Sequence, residues 1–258
     1  MKLMSEQSID DFVTSLSQQE GSTDTFVKET SELLEVNLDD RVWARVGSMI
    51  AYTGTVTFER ESALRGGVTK FFKKKMTGEG TPLMKMEGTG SVYLADRKKK
   101  ISAFQLANEK VSVNGTDLLA FEDGVDWDIE MMKNAGGMIA GGLFNVKLRG
   151  HGAVVITSHG KPLTLRVEPN APIYTDPQAT VAWDGSLSPQ IETNVSAKAL
   201  IGRGSGESVQ FRFEGDGWVL VQPFEEGAFQ QQNQKSGSGS GSNGGGGLVG
   251  NLLKQLMG

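Results

Sequence analysis

Met84-Lys85-Met86-Glu87-Gly88-Thr89-Gly90-Ser91-Val92 decides the fold, because the chain returns to it twice. Val146-Lys147-Leu148-Arg149-Gly150-His151-Gly152-Ala153-Val154 is a second copy, and Phe211-Arg212-Phe213-Glu214-Gly215-Asp216-Gly217-Trp218-Val219 is a third. The shared pattern is apolar, basic, apolar, charged, Gly, any, Gly, any, Val, with the first glycines 62 and then 65 residues apart. Alternation before the glycines places two apolar side chains on one face of a strand and the charged ones on the other. The glycines allow that strand to bulge or coil sharply as it passes from one sheet to another.

A second signature travels with the first. Met49-Ile50-Ala51-Tyr52, Leu118-Leu119-Ala120-Phe121 and Thr180-Val181-Ala182-Trp183 each set an aromatic residue after Ala, 30 to 37 residues before a Gly-x-Gly. Two signatures in one order and at similar spacing indicate three related β modules around a pseudo-threefold axis. The surrounding sequence agrees. Alternating or apolar runs such as Leu34-Val36-Leu38, Val111-Val113 and Leu163-Leu165-Val167 are separated by Asn114-Gly115, Asp123-Gly124, His159-Gly160, Asp184-Gly185 and Asp216-Gly217. These dipeptides favour tight turns, and helical periodicity is scarce. Residues 25–229 therefore read as an all-β body.

Both flanks differ from the body. In residues 1–21, Ile9, Phe12, Val13 and Leu16 form one apolar helical stripe. Ser8 is its expected N-cap, Asp10 and Asp11 suit the helix dipole, and Gly21 is the expected stop. Such a stripe is expected to cover a sheet edge, pack on the body or dock on a neighbour. Residues 230–247 are rich in Gln, Ser and Gly and read as a flexible linker with a reach of about 23 Å. In residues 248–258, Leu248, Val249, Leu252, Leu253, Leu256 and Met257 line one side of a short helix. Burying them yields roughly 10 kcal/mol at most. Ordering the backbone costs on the order of 10–20 kcal/mol, so this helix is expected to form only against a prepared groove.

Composition narrows the function. The 258 residues include no Cys, 34 Gly and two His, with 26 basic against 31 acidic side chains for a net charge of −5. Without Cys there is no disulfide framework, thiolate metal site or cysteine nucleophile. Mild acidity argues against nucleic acid as a partner. No apolar run approaches the ~20 residues of a spanning helix, and no signal-peptide core is visible. A cytoplasmic protein, or one peripheral to a membrane, is expected.

Chemistry-bearing motifs are few. The Gly-x-Gly copies lack the third glycine and following helix of a phosphate loop. Gly202, Gly204 and Gly206 come closer but precede a strand. His151 occupies a repeat slot filled elsewhere by Thr89 and Asp216, and His159 precedes a turn glycine, so neither suggests a metal site. No catalytic residue, cofactor or metal is expected. Two basic clusters stand out: Lys70, Phe71, Phe72, Lys73, Lys74 and Lys75, and the run Arg97, Lys98, Lys99 and Lys100 at an expected hairpin tip. Solvated turns and edge protection are the plain reading. An anionic surface patch with Phe71 and Phe72 as apolar anchors is the sharper one.

Gly47-Ser48-Met49-Ile50-Ala51, Thr77-Gly78-Glu79-Gly80, the Gly-x-Gly strands, and Tyr174-Thr175-Asp176 followed by Val181-Ala182-Trp183 together resemble the AIM24 family over roughly residues 25–225. The resemblance implies a fold like that of the tryptophan RNA-binding attenuation protein: a double-stranded β-helix-like sandwich with internal threefold symmetry. Bacterial and archaeal members are of unknown function. Fungal mitochondrial relatives are associated with inner-membrane organisation, which suits a membrane-adjacent scaffold. This chain has no Arg-rich presequence, and Pro177 interrupts the usual stretch before Val181. The family supplies no catalytic residues to transfer, and fold similarity does not bring RNA binding with it.

The expectation is a non-enzymatic scaffold that forms a homo-oligomer, with both terminal helices docking on neighbouring subunits or a protein partner. Peripheral binding to an anionic membrane is the alternative. A small-ligand or sugar-processing β-sandwich enzyme is the third.

Overall fold

The computed structural model describes residues 8–18, 22–60, 83–134, 137–138, 144–193 and 209–224. The Lys70-to-Lys75 cluster, residues 77–80, the linker and the C-terminal stripe from Leu248 to Met257 lie outside the described residues. Within them the chain is all-β apart from one short helix, α1 (Ile9–Ser15).

Three modules repeat one four-part plan, and each begins with a long strand. These are β2 (Leu33–Arg45), β6 (Lys100–Asn114) and, divided in two, β12 (Leu163–Val167) with β13 (Ile173–Thr175). The Ala-aromatic strand follows: β3 (Met49–Tyr52), β7 (Leu118–Glu122) or β14 (Thr180–Asp184). Next come β4 (Thr55–Arg60), β8 (Val125–Met131) and β15 (Gln190–Thr193). The Gly-x-Gly strand closes each module: β5 (Leu83–Ala95), β11 (Phe144–Ser158), and the divided β16 (Val209–Phe213) with β17 (Gly217–Val221). Outside the plan, β1 (Phe26–Lys28) pairs with β2, and β9 (Lys133–Asn134) pairs with β10 (Gly137–Met138). Every pairing is antiparallel. Among the described residues these strands form a sheet of 12 and two smaller sheets.

Register explains the glycines. The N-terminal part of β5 pairs with β4 as far as Thr55↔Thr89, and its C-terminal part pairs with β3 from Tyr52↔Val92 onward. The second module repeats the exchange between Val125↔Gly150 and Phe121↔Val154. The strand changes partners across Gly-x-Gly, which needs backbone angles that side chains disfavour. Gly88, Gly90, Gly150, Gly152 and Gly215 all have positive φ.

The Ala-aromatic signature also has a structural cause. Between Met49 and Ala51, Leu118 and Ala120, and Thr180 and Ala182, the register slips by one residue. Each slip is a bulge, carried by Ile50, Leu119 and Val181. Just before it, one main-chain bond recurs: Ala95 donates to Ser48 (2.9 Å), Thr157 to Asp117 (2.7 Å) and Gln222 to Ala179 (2.9 Å).

Modules join by strand pairing. β7 adds to β2 through Val42↔Glu122, Trp43↔Phe121 and Ala44↔Ala120. β14 adds to β6 through Val111↔Asp184, Ser112↔Trp183 and Val113↔Ala182. The core follows these joints. Trp43 stacks on Phe121 with centroids 6.3 Å apart and meets Trp127 edge-on at 5.4 Å. In the third module Trp183 packs on Phe211 and Phe213.

Candidate interaction surface

The Ala-aromatic strand meets two different fates. In β7 and β14 it lies between its own module and the preceding one, and Phe121 and Trp183 are buried. In β3, which belongs to the first module, the strand pairs with β5 and no preceding module covers it among the described residues. Met49, Ile50 and Tyr52 are exposed there, with Tyr52 held edge-on to Phe58 at 5.2 Å. At the other end of the array, β13 pairs only with β16 among the described residues, and Tyr174 is exposed. Nothing in the local sequence of β3 or β13 sets it apart from its counterparts in the other modules. The repeat carries the missing signal, since a linear array of three has a first member without a predecessor and a last without a successor.

α1 adds further apolar surface. Ser8 caps it as expected, its Oγ accepting from the Asp11 N–H at 3.1 Å. Helical geometry ends at Leu16 rather than at Gly21, which lies outside the described residues. The stripe does not pack on the body: Ile9, Phe12, Val13 and Leu16 are all exposed. The segment is instead tethered beyond its C-terminus, where the Tyr93 hydroxyl donates to Gln18 Oε1 at 2.8 Å.

The run from Arg97 to Lys100 does not form one surface patch. Arg97 and Lys98 are exposed at the β5–β6 turn, both with positive φ. Lys99 turns inward, which corrects its place in the patch. It is buried, with Nζ 2.8 Å from Asp117 Oδ1, 3.5 Å from Asp96 Oδ2 and 3.1 Å from the Thr116 carbonyl. Arg45 completes the cluster by pairing with Asp96 and donating to the Thr116 carbonyl at 3.2 Å. Two cations and two carboxylates thus close over the joint between the first two modules. Lys100 bonds Glu32 at 2.8 Å on the surface.

Burial alone would raise the Asp96 carboxyl, but the Arg45 guanidinium, then Lys99 and the Thr157 hydroxyl, outweigh it and hold it below its ordinary value. A depressed carboxyl contributes stability that is present above its unfolded value and lost as pH falls through the folded one. Stability is therefore expected to hold near neutrality and fall below the ordinary aspartate value of 3.8. Urea midpoints along a pH series check this, and Asp96→Asn should flatten that part of the fall.

The family model described as mitochondrial biogenesis AIM24 matches residues 25–224. The chain belongs to the AIM24 family. The crystal structure of protein SPYM3_0169 from Streptococcus pyogenes is similar, at 24% identity and a TM-score of 0.65, over 82% of this chain and 98% of that one. At that identity the likeness shows a shared fold. No curated protein matches. The AIM24 match takes in all three modules and leaves out α1 and everything after Phe224.

Other surfaces of the AIM24 body are more self-contained. An open groove of about 460 Å³ on the second module is lined by Lys110, Asp126, Trp127, Lys147 and Arg149, with Gly185 of the third module at its edge. Two of its cations are met by carboxylates: Arg149 by Asp126 at 3.5 Å and Lys147 by Glu130 at 3.1 Å. His151 lies within β11 rather than in a turn, and His159 rests on the Phe224 ring at 4.1 Å. Among the described residues no cluster of potential metal ligands occurs, and no helix is long and apolar enough to cross a membrane.

Proposed function

We propose that this AIM24 protein is a self-associating scaffold: a rigid three-module body that assembles through apolar surface at its ends. One observation carries the reading. Of the nine large hydrophobic side chains exposed among the described residues, seven lie on α1, its C-cap or β3: Ile9, Phe12, Val13, Leu16, Met49, Ile50 and Tyr52. Concentrated apolar surface of this kind marks an interaction site. The counterparts of β3 in the second and third modules show how such a strand is normally covered, by another module.

The anionic-membrane alternative has less support from the described surface, since only Arg97 and Lys98 of their run face solvent without a described carboxylate partner. The C-terminal stripe would add a second, tethered contact to the assembly. Sedimentation velocity on the full-length chain and on the Ile50→Lys variant tests the proposal. The unaltered chain is expected to sediment as an oligomer and the variant as a smaller species. Monomeric behaviour of the unaltered chain throughout the micromolar range would overturn it.

A further inference from the structure

We infer that β3 of one copy adds to β13 of a second copy, with Tyr52 opposite Tyr174, Ala51 opposite Thr175 and Thr53 opposite Ile173. This joint rests on the self-association reading and specifies its geometry. Its register follows from the repeat. Met86, Leu148 and Phe213 occupy the same letter of the Gly-x-Gly pattern, two residues before the first glycine. Their partners on the first strand of each module are Val42, Val111 and Ile173. The triplets Val42-Trp43-Ala44, Val111-Ser112-Val113 and Ile173-Tyr174-Thr175 are therefore equivalent.

Two of these triplets already hold the Ala-aromatic strand of the following module, in one antiparallel register. Trp43 faces Phe121 and Ser112 faces Trp183, while Ala44 and Val113 face the signature alanines. Among the described residues the third triplet has no following module paired to it. Among the described residues β3 is the signature strand without a preceding module, so each open end carries what the other lacks.

Exposure reports the same deficit. At the bulge, Leu119 and Val181 are 0% exposed but Ile50 is 63% exposed. At the aromatic position, Phe121 is 0% and Trp183 2% exposed, against 48% for Tyr52. Opposite them, Trp43 is 4% and Ser112 1% exposed, against 48% for Tyr174. A second copy is the occupant because β3 and β13 of one chain do not pair here, and the 12-stranded sheet with β3 at one end has the third module at the other. The two surfaces differ, so the joint is heterologous and repeats from copy to copy, closing into a ring or extending according to the rotation per copy.

The chain has no Cys, which allows a direct test. Tyr52→Cys and Tyr174→Cys are made separately, since both side chains are exposed and their loss should leave the fold intact. Facing residues of an antiparallel pair lie within reach of a disulfide. Under mild oxidation with diamide, the mixed single variants should form a species of doubled mass on a non-reducing gel, and neither variant alone should. The double variant should give a ladder. A mixture that stays unlinked, while light scattering shows the chains assembled, would overturn the joint and leave the scaffold reading standing. Linking of either single variant alone, or closure of the double variant within one chain, would also overturn it. Chains that light scattering finds monomeric would remove the scaffold reading itself.

Discussion

Lys99→Met should destabilise the protein by about 3–5 kcal/mol, the range for removing one partner from a buried ion pair. Lys99 and Asp96 are each 2% exposed at the side chain and Asp117 is 0% exposed. Without the ammonium group, two carboxylates remain inside the joint with Arg45 as the nearby cation. The carboxylates would then have to protonate, admit water or pull the β5–β6 turn open. Urea denaturation at neutral pH measures the loss. Adding Asp117→Asn should recover part of it, because the charge left behind causes most of the penalty. A cost under about 1 kcal/mol for Lys99→Met would mean that the cluster is solvated, contrary to this geometry.

Gly88→Ala should also be severe. Its φ is +127°, and a Cβ there would sit 2.0 Å from the Thr55 carbonyl oxygen, which is backbone and cannot rotate away. The conformational strain alone is about 1–3 kcal/mol, and relieving the overlap requires β4 and β5 to separate. At least about 3 kcal/mol is expected in total. Gly47→Ala is the internal control. Its φ is +82° but a Cβ meets nothing within 4 Å, so it should cost only about 1–2 kcal/mol. Thermal midpoints of the two variants compare them under one condition. Equal losses would mean that backbone angle, not the close passage of strands, is what Gly-x-Gly provides.

Much of this architecture was legible because the repeat is written in residues with strong local consequences. Gly88, Gly150 and Gly215 mark a backbone conformation, and Ala51, Ala120 and Ala182 mark strand positions just past a bulge. Turn dipeptides such as Asn114-Gly115 and Asp184-Gly185 close strands β6 and β14 and lead into turns. Ser8 announced its cap because capping is local. What depends on distant partners was not legible. Lys99 looks like its neighbours Lys98 and Lys100 in sequence. Its burial is set by Asp117, eighteen positions on, and by a turn with positive φ at Arg97 and Lys98. The exposure of Tyr52 was equally hidden. Its equivalents Phe121 and Trp183 are core residues, and only a module's place in the array separates the cases. The α1 stripe was expected to cover something, yet its four apolar side chains are exposed among the described residues.

The most direct measurement of the central claim is the native mass of the unaltered full-length chain, by multi-angle light scattering over a concentration series. An integral multiple of the single-chain mass, persisting into the low micromolar range, is the expected result. A mass of one chain at every concentration would contradict self-association and leave β3, β13 and the α1 stripe without the partner assigned to them.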